Sequence, residues 1–199
     1  MRPIGSTKER LPIYNMTFNT LICQLKMDKH ISDETKNKLI QAYTLLYYTG
    51  CRVSEIAKLD VSDIKNIIAL KTLALNGQTK TKRPRTIHFT DRMIAIIKDF
   101  KLDNATKHGD YLFYQNGTNY PMDKKGLTKL LNNYLMAYLK TDLYTTHSFR
   151  AGYITRIVES TGNIRTACDM VGHRNVTTTL RYIATSKEQK LDALAKVFG

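Results

Sequence analysis

The sequence predicts an α+β domain, mainly helical, with a small three-stranded antiparallel sheet near its middle. Two observations carry the helices. Apolar residues recur at helical spacing over Leu39, Ile40, Tyr43, Leu46 and Tyr47, and again over Leu127, Leu130, Leu131, Tyr134, Leu135, Tyr138 and Leu139. A third observation carries the sheet. Three short stretches, 67–75, 86–89 and 111–114, have extended character, and the turn signals Asn76-Gly77 and Asn116-Gly117 punctuate them.

The elements follow in order. Residues 1–16 read as a loosely structured basic lead-in, and 17–26 as a short helix. Ser32 is placed as the N-cap of the next helix and Gly50 as its stop, because a small hydroxyl caps free N–H groups and glycine tolerates a left-handed turn. A further helix begins near Arg52 and reaches about Lys58. After the strands, helices are expected over the 127–139 stripe, over 147–160, over 164–171 and over 177–185. Leu191, Leu194, Val197 and Phe198 give the last residues, 187–199, one apolar side that reads as a tail helix.

Composition narrows the partners. The 199 residues are 42 % hydrophobic and 24 % charged, an ordinary globular balance. Lys and Arg number 31 against 17 Asp and Glu, a formal charge of +14. Such a surplus calls for an anionic partner, nucleic acid or a membrane surface. No apolar run approaches the ~18–20 residues of a spanning helix, and Met1 to Tyr14 carry no secretory pattern. Nucleic acid is therefore favoured, and no membrane partner is expected. Cys23, Cys51 and Cys168 form no CxxC, which suits free thiols in a reducing, cytoplasmic compartment. No metal site is expected, because the histidines and cysteines lack ligand spacing.

Breaking a phosphodiester without a metal needs a nucleophile, cations for the nonbridging oxygens and an acid for the leaving oxygen. Arginine suits the oxygens because its fork donates two parallel hydrogen bonds. Taken singly, each candidate here has an ordinary explanation. Arg52 at a helix start is most often a solvated group; HxxR at 147–150 occurs by chance; His173 could be a polar helix-start residue; Tyr182 is one of 12 tyrosines. Their order and spacing carry more weight.

The run Tyr48-Thr49-Gly50-Cys51-Arg52-Val53-Ser54-Glu55-Ile56 resembles the first arginine box of the tyrosine recombinases, or phage integrases. Thr146-His147-Ser148-Phe149-Arg150 resembles their HxxR box. Gly172-His173-Arg174-Asn175, followed by Thr177 to Tyr182, resembles the final box, with the tyrosine nine residues after the histidine. The resemblance runs over about residues 17–190. It implies a catalytic domain at 17–186 and a site-specific recombinase that cleaves and rejoins DNA through a 3′-phosphotyrosine. Arg52, Lys80, His147, Arg150, His173 and Tyr182 would be catalytic. The family's hairpin lysine falls on Lys80, counting back from Arg85-Thr86-Ile87, with Lys82 as the alternative. Glu55, one turn from Arg52, would orient it.

Ala151 stands where a second histidine often follows the HxxR box. The family's core-binding domain, about a hundred residues, would precede the catalytic domain, whereas only about sixteen residues do so here. That predicts either a fragment or a short single-domain form similar to the fimbrial-switch invertases, and Met1 favours the second. No cofactor is implied. Lys82, Arg83, Arg85, Lys124, Lys125, Lys129 and Arg174 are expected DNA contacts. The partner would be double-stranded DNA with inverted-repeat half-sites, bound by a homotetramer on paired sites and by a monomer or dimer when free. A type IB topoisomerase, which usually has lysine in place of the HxxR histidine, and a catalytically silent DNA-binding accessory protein are the alternatives. His147 argues against the first and the complete residue set against the second.

Overall fold

The computed structural model describes residues 11–75, 84–173 and 175–180. Helix α1 (Asn15–Met27) buries Phe18, Leu21 and Leu25 against α2 (Asp33–Thr49). The Ser32 side chain accepts the Thr35 N–H at 3.2 Å, and Gly50 closes α2 in the left-handed region at φ 60°. The expected cap and stop therefore both form. A short helix, α3 (Val53–Ile56), follows with Arg52 at its N-cap, and α4 (Val61–Leu70) comes next.

The stretch 67–75, expected as one strand, is divided. Asp60 and Asp63 exchange a reciprocal capping box, Ile64 and Ile67 face the core, and Lys71 ends α4 with a left-handed φ of 54°. Only β1 (Thr72–Leu75) remains extended. It pairs antiparallel with β2 (Arg85–His88), with Leu73 opposite Ile87 and Leu75 opposite Arg85. The Asn76-Gly77 turn lies outside the described residues.

The third strand is not formed, and the sheet has two strands among the described residues. Residues 111–114 make single bridges instead, Asp60 to Tyr111 and Tyr114 to Pro121. Leu112, Phe113 and Tyr114 are buried in succession, so the segment lacks the in-out alternation of a half-buried strand, and Pro121 has no N–H to extend a ladder. Lys38, 3 % exposed, donates from below to the Tyr114 carbonyl and to Glu34, both at 2.9 Å.

Two helices in this region were not expected, α5 (Asp91–Lys98) and α6 (Asp103–Lys107). The long stripe forms α7 (Lys124–Leu139), capped by Asp123. Then come α8 (Thr146–Thr161), α9 (Ile164–Val171) and α10 (Val176–Leu180). The part of the 177–185 helix beyond Leu180, and the tail 187–199, lie outside the described residues.

Helix α8 organises the rest. It packs on α2, α7 and α9, and α9 packs on α10. The Tyr43 ring of α2 stacks on Phe149 of α8 with centroids 5.3 Å apart, and the Tyr43 hydroxyl donates to the Leu131 carbonyl of α7 at 2.7 Å. Residues 11–14, within the expected lead-in, run along α8. Ile13 is fully buried, and its N–H donates to the Ser148 carbonyl at 3.0 Å. A Cβ on Gly152 would lie 2.1 Å from the Ile13 carbonyl oxygen. This contact generates a stability prediction. Gly152→Ala gains about 1 kcal/mol of helix propensity. Steric overlap with a backbone atom costs more, so the net loss should be about 1–3 kcal/mol. Thermal unfolding should show a lower Tm; a raised Tm would contradict the close approach.

Candidate active site

The first arginine box is shaped by the end of α2. Gly50 turns the chain in the left-handed region directly over Tyr153, where a Cβ would lie 2.5 Å from the ring. The turn leaves Arg52 at the N-cap of α3. Glu55, in the first turn of that helix, accepts the Arg52 backbone N–H at 2.7 Å and the Arg52 guanidinium at 3.2 Å. The Glu55 carboxylate is 5 % exposed and the Arg52 side chain 27 %. The partnership of Glu55 with Arg52 is thus present in the structure.

Arg150, in the second turn of α8, is almost wholly buried. One nitrogen donates to the Gly50 carbonyl and another to the Val171 carbonyl, each at 2.6 Å. Both acceptors stand where a helix has just ended, so their carbonyls are not used by a following turn. Burial, then the neighbouring charges of Arg52 and Arg85, push Arg150 down to about 9, which leaves it charged at neutral pH.

His173 follows Gly172, which ends α9 at φ 67°. Its ring is buried, and Nδ1 lies 2.9 Å from the Thr179 hydroxyl of α10. Burial, and then the charges of Arg150, Arg52 and Arg85, pull His173 down to about 4. The ring is neutral at pH 7. The Thr179 hydroxyl can accept from Nδ1 or donate to it, and the ring's tautomer sets which.

Three boxes far apart in the chain therefore contribute Arg52, Arg150 and His173 to one cationic cluster. Arg85 joins them. It was expected to contact DNA, and its side chain is only 9 % exposed. It donates to Glu55 at 2.9 Å and to the Val171 carbonyl, and it lies 3.7 Å from the Cys51 sulfur. The reason is strand register. Arg85 shares the inward face of β2 with buried Ile87, two residues on, and that spacing was the available signal. Thr179 had no such signal, because its meeting with His173 depends on the turn at Gly172.

The other expected residues fall into two groups. His147 is exposed in the first turn of α8, one turn ahead of Arg150. Lys124, Lys125 and Lys129 are exposed on the first two turns of α7. Lys80, Lys82, Arg83, Arg174 and Tyr182 lie outside the described residues. Among the described residues, no group of three His, Cys, Asp or Glu side chains is placed to hold a metal ion.

Comparison with known proteins gives the family and the fold. The family described as the phage integrase family matches residues 17–189. A tyrosine recombinase of Thermosipho africanus is 26 % identical over 167 residues, covering 83 % of this chain and 56 % of the relative. Tyrosine recombinase XerC of Treponema denticola is 24 % identical over 210 residues, covering 95 % of this chain and 67 % of the relative. The chain thus spans about half to two thirds of the length of such relatives. In fold it resembles the Tn1549 transposon integrase solved with transposon right end DNA. The TM-score is 0.74 at 16 % identity, covering 99 % of this chain and 69 % of that one. With three boxes converging on one cluster and the family match running over 17–189, the chain belongs to the phage integrase family of tyrosine recombinases.

Proposed function

We propose that this chain supplies the catalytic domain of a site-specific recombinase, at 17–186, which cleaves and rejoins duplex DNA through Tyr182. The observation that carries the reading is the cluster itself. Among the described residues Arg52, Arg85 and Arg150 face a single carboxylate, Glu55. Burying excess charge of one sign costs several kcal/mol per ion unless a counter-charge meets it. A scissile phosphate is that counter-charge, and two guanidinium forks match its nonbridging oxygens.

In the proposed reaction the Tyr182 oxygen attacks phosphorus, and the bond from phosphorus to the 5′ oxygen breaks. The products are a 3′-phosphotyrosine and a free 5′ hydroxyl. Arg52 and Arg150 hold the nonbridging oxygens and stabilise the charge that builds on them. Neutral His173 donates from Nε2 to the same phosphate. His147 assists removal of the phenolic proton, and Lys80, or alternatively Lys82, supplies the proton that the 5′ oxygen takes up. The phosphotyrosine conserves the bond for rejoining, so the cycle uses neither a nucleotide cofactor nor a metal.

The same reading extends to partners. Lys82, Arg83, Lys124, Lys125, Lys129 and Arg174 contact the DNA backbone. Inverted-repeat half-sites each take one protomer, four protomers assemble on paired sites, and residues 187–199 dock on a neighbouring protomer. Solved structures of similar fold support the DNA part: XerH is bound to a difH substrate, and a lambda integrase dimer is bound to a core site. No helix among the described residues is long and apolar enough to cross a membrane. A cytoplasmic location fits the DNA partner.

Three outcomes test the proposal. The first uses a nicked suicide duplex that carries a half-site selected by this chain from a randomised duplex pool. The wild-type chain should form a covalent band on a denaturing gel, with EDTA present. Tyr182→Phe should bind equally and form none. A wild-type-sized band from the variant would remove Tyr182 as nucleophile.

Binding should also weaken steeply with salt. Several phosphate contacts predict a slope of roughly −4 to −8 in log Kd-derived affinity against log salt. A slope near zero would refute an electrostatic interface.

The third outcome concerns His173. The unfolded ring takes a proton near pH 6.5, whereas the folded ring resists until about 4. Stability from the buried neutral ring is therefore complete above 6.5 and is lost as pH falls through that window. Between pH 7 and 5 the wild-type Tm should drop more than that of His173→Gln. Parallel Tm profiles would show that the ring is not held neutral.

A further inference from the structure

We propose that Arg85 is a positioning residue of this cleavage site: it holds and offsets the Glu55 carboxylate, so that Arg52 is presented to the phosphate with its charge available. The inference rests on the DNA-cleavage reading above.

Glu55 carries the argument. A carboxylate beside a phosphate-binding arginine has two opposed effects. It fixes the guanidinium, and it also draws on the positive charge that the phosphate needs. Here Oε1 accepts from the Arg52 guanidinium at 3.2 Å, while Oε2 accepts from the Arg52 backbone N–H at 2.7 Å and from Arg85 at 2.9 Å. The carboxylate is thus held from both sides. Arg85 matches its charge, which leaves the charges of Arg52 and Arg150 unopposed toward a ligand.

Arg85 also ties three parts of the site together. It opens β2, reaches α3 through Glu55, and donates to the Val171 carbonyl at the end of α9. That carbonyl accepts from Arg150 as well, at 2.6 Å. The passage is close: a Cβ on Gly172 would lie 3.2 Å from both Cδ and Nη1 of Arg85.

Two simpler roles fit less well. A DNA-backbone contact needs an outward guanidinium, whereas this side chain is 9 % exposed and its Nε is buried with no hydrogen-bond partner among the described residues. A plain strut between β2 and α9 would not place a second cation on the carboxylate that orients Arg52.

The test is a double-mutant cycle in the full chain, on the same selected suicide duplex. Arg85→Met, Glu55→Gln and Arg85→Met/Glu55→Gln are compared by single-turnover cleavage rate at saturating enzyme, by half-site Kd and by Tm. Arg85→Met should slow cleavage about 10- to 100-fold, by analogy with the loss of residues that orient the ligands of a metal site. Its half-site Kd should change by less than about threefold, well short of what losing a phosphate contact costs. The double variant should be no slower than Glu55→Gln alone, because without the carboxylate's charge Arg85 has nothing left to offset.

Multiplied losses in the double variant would overturn the proposal, since Arg85 would then act independently of Glu55. A weakened Kd with a normal saturated rate would also overturn it and return Arg85 to a DNA contact. Should Arg85→Met fail to fold, the cycle is run with Arg85→Lys. Lysine keeps the charge but cannot bridge Glu55 and the Val171 carbonyl with one planar fork. The expected pattern is the same, a slowed rate whose cost disappears beside Glu55→Gln. A wild-type chain that forms no covalent band overturns the recombinase reading and this inference with it. A normal band with full-rate Arg85→Met overturns this inference alone.

Discussion

The Arg150 guanidinium is the interaction on which the rest of the structure depends. It sits in the second turn of α8, almost wholly buried, and its two hydrogen bonds reach the Gly50 carbonyl after α2 and the Val171 carbonyl at the end of α9. One side chain thereby sets the ends of two helices relative to a third. Both carbonyls are available because each helix stops there, and both stops are left-handed glycine turns, Gly50 at φ 60° and Gly172 at φ 67°. With a Cβ, Gly50 would strike Tyr153 and Gly172 would crowd Arg85. The backbone geometry that ends the helices is therefore the geometry that exposes acceptors to arginine.

This arrangement explains why cations can gather without unfolding the region. Each guanidinium donates to carbonyl or carboxylate oxygens, so its desolvation is partly offset by hydrogen bonds. The electrostatic cost is carried by the group that can give up its charge. His173 is held down to about 4 by burial and by three arginines, and it stays neutral. Arg150 is lowered only to about 9 and stays charged. The same field thus sorts the two residue types into different roles, a neutral hydrogen-bond donor and fixed cations, before any ligand arrives.

Much of this was legible in the sequence, and the exceptions have physical causes. Ser32, Gly50 and the start of α3 at Arg52 were readable because caps and stops depend on local chemistry. The convergence of Arg52, Arg150 and His173 was readable from box order. Helices α5 and α6 were not, since eight and five residues leave too few turns for a periodic stripe to stand out. The strand expected over 67–75 failed where the Asp60–Asp63 capping box held 61–70 in a helix. The third strand failed because three consecutive buried residues at 112–114 look equally apolar whether or not a ladder forms. The inward turn of Arg85 was missed for a different reason. Among so many basic residues, its composition says surface, and only its alternation with Ile87 says interior.

The charge of the chain thus divides into two populations that respond differently to the solvent. Lys124, Lys125 and Lys129 are exposed on α7, where mobile ions screen them within about 8 Å at physiological ionic strength. Arg85 and Arg150 are shielded by protein, and their partners are fixed oxygens a hydrogen bond away. Salt therefore acts on the first population and scarcely on the second. Under the proposed reaction, adding salt weakens the encounter with DNA more than the rate from a saturated complex, because Arg150 is buried and Arg52, 27 % exposed, is held on Glu55. The surplus that draws the duplex in and the surplus that works on its phosphate belong to one sign of charge, but burial makes them physically separate devices.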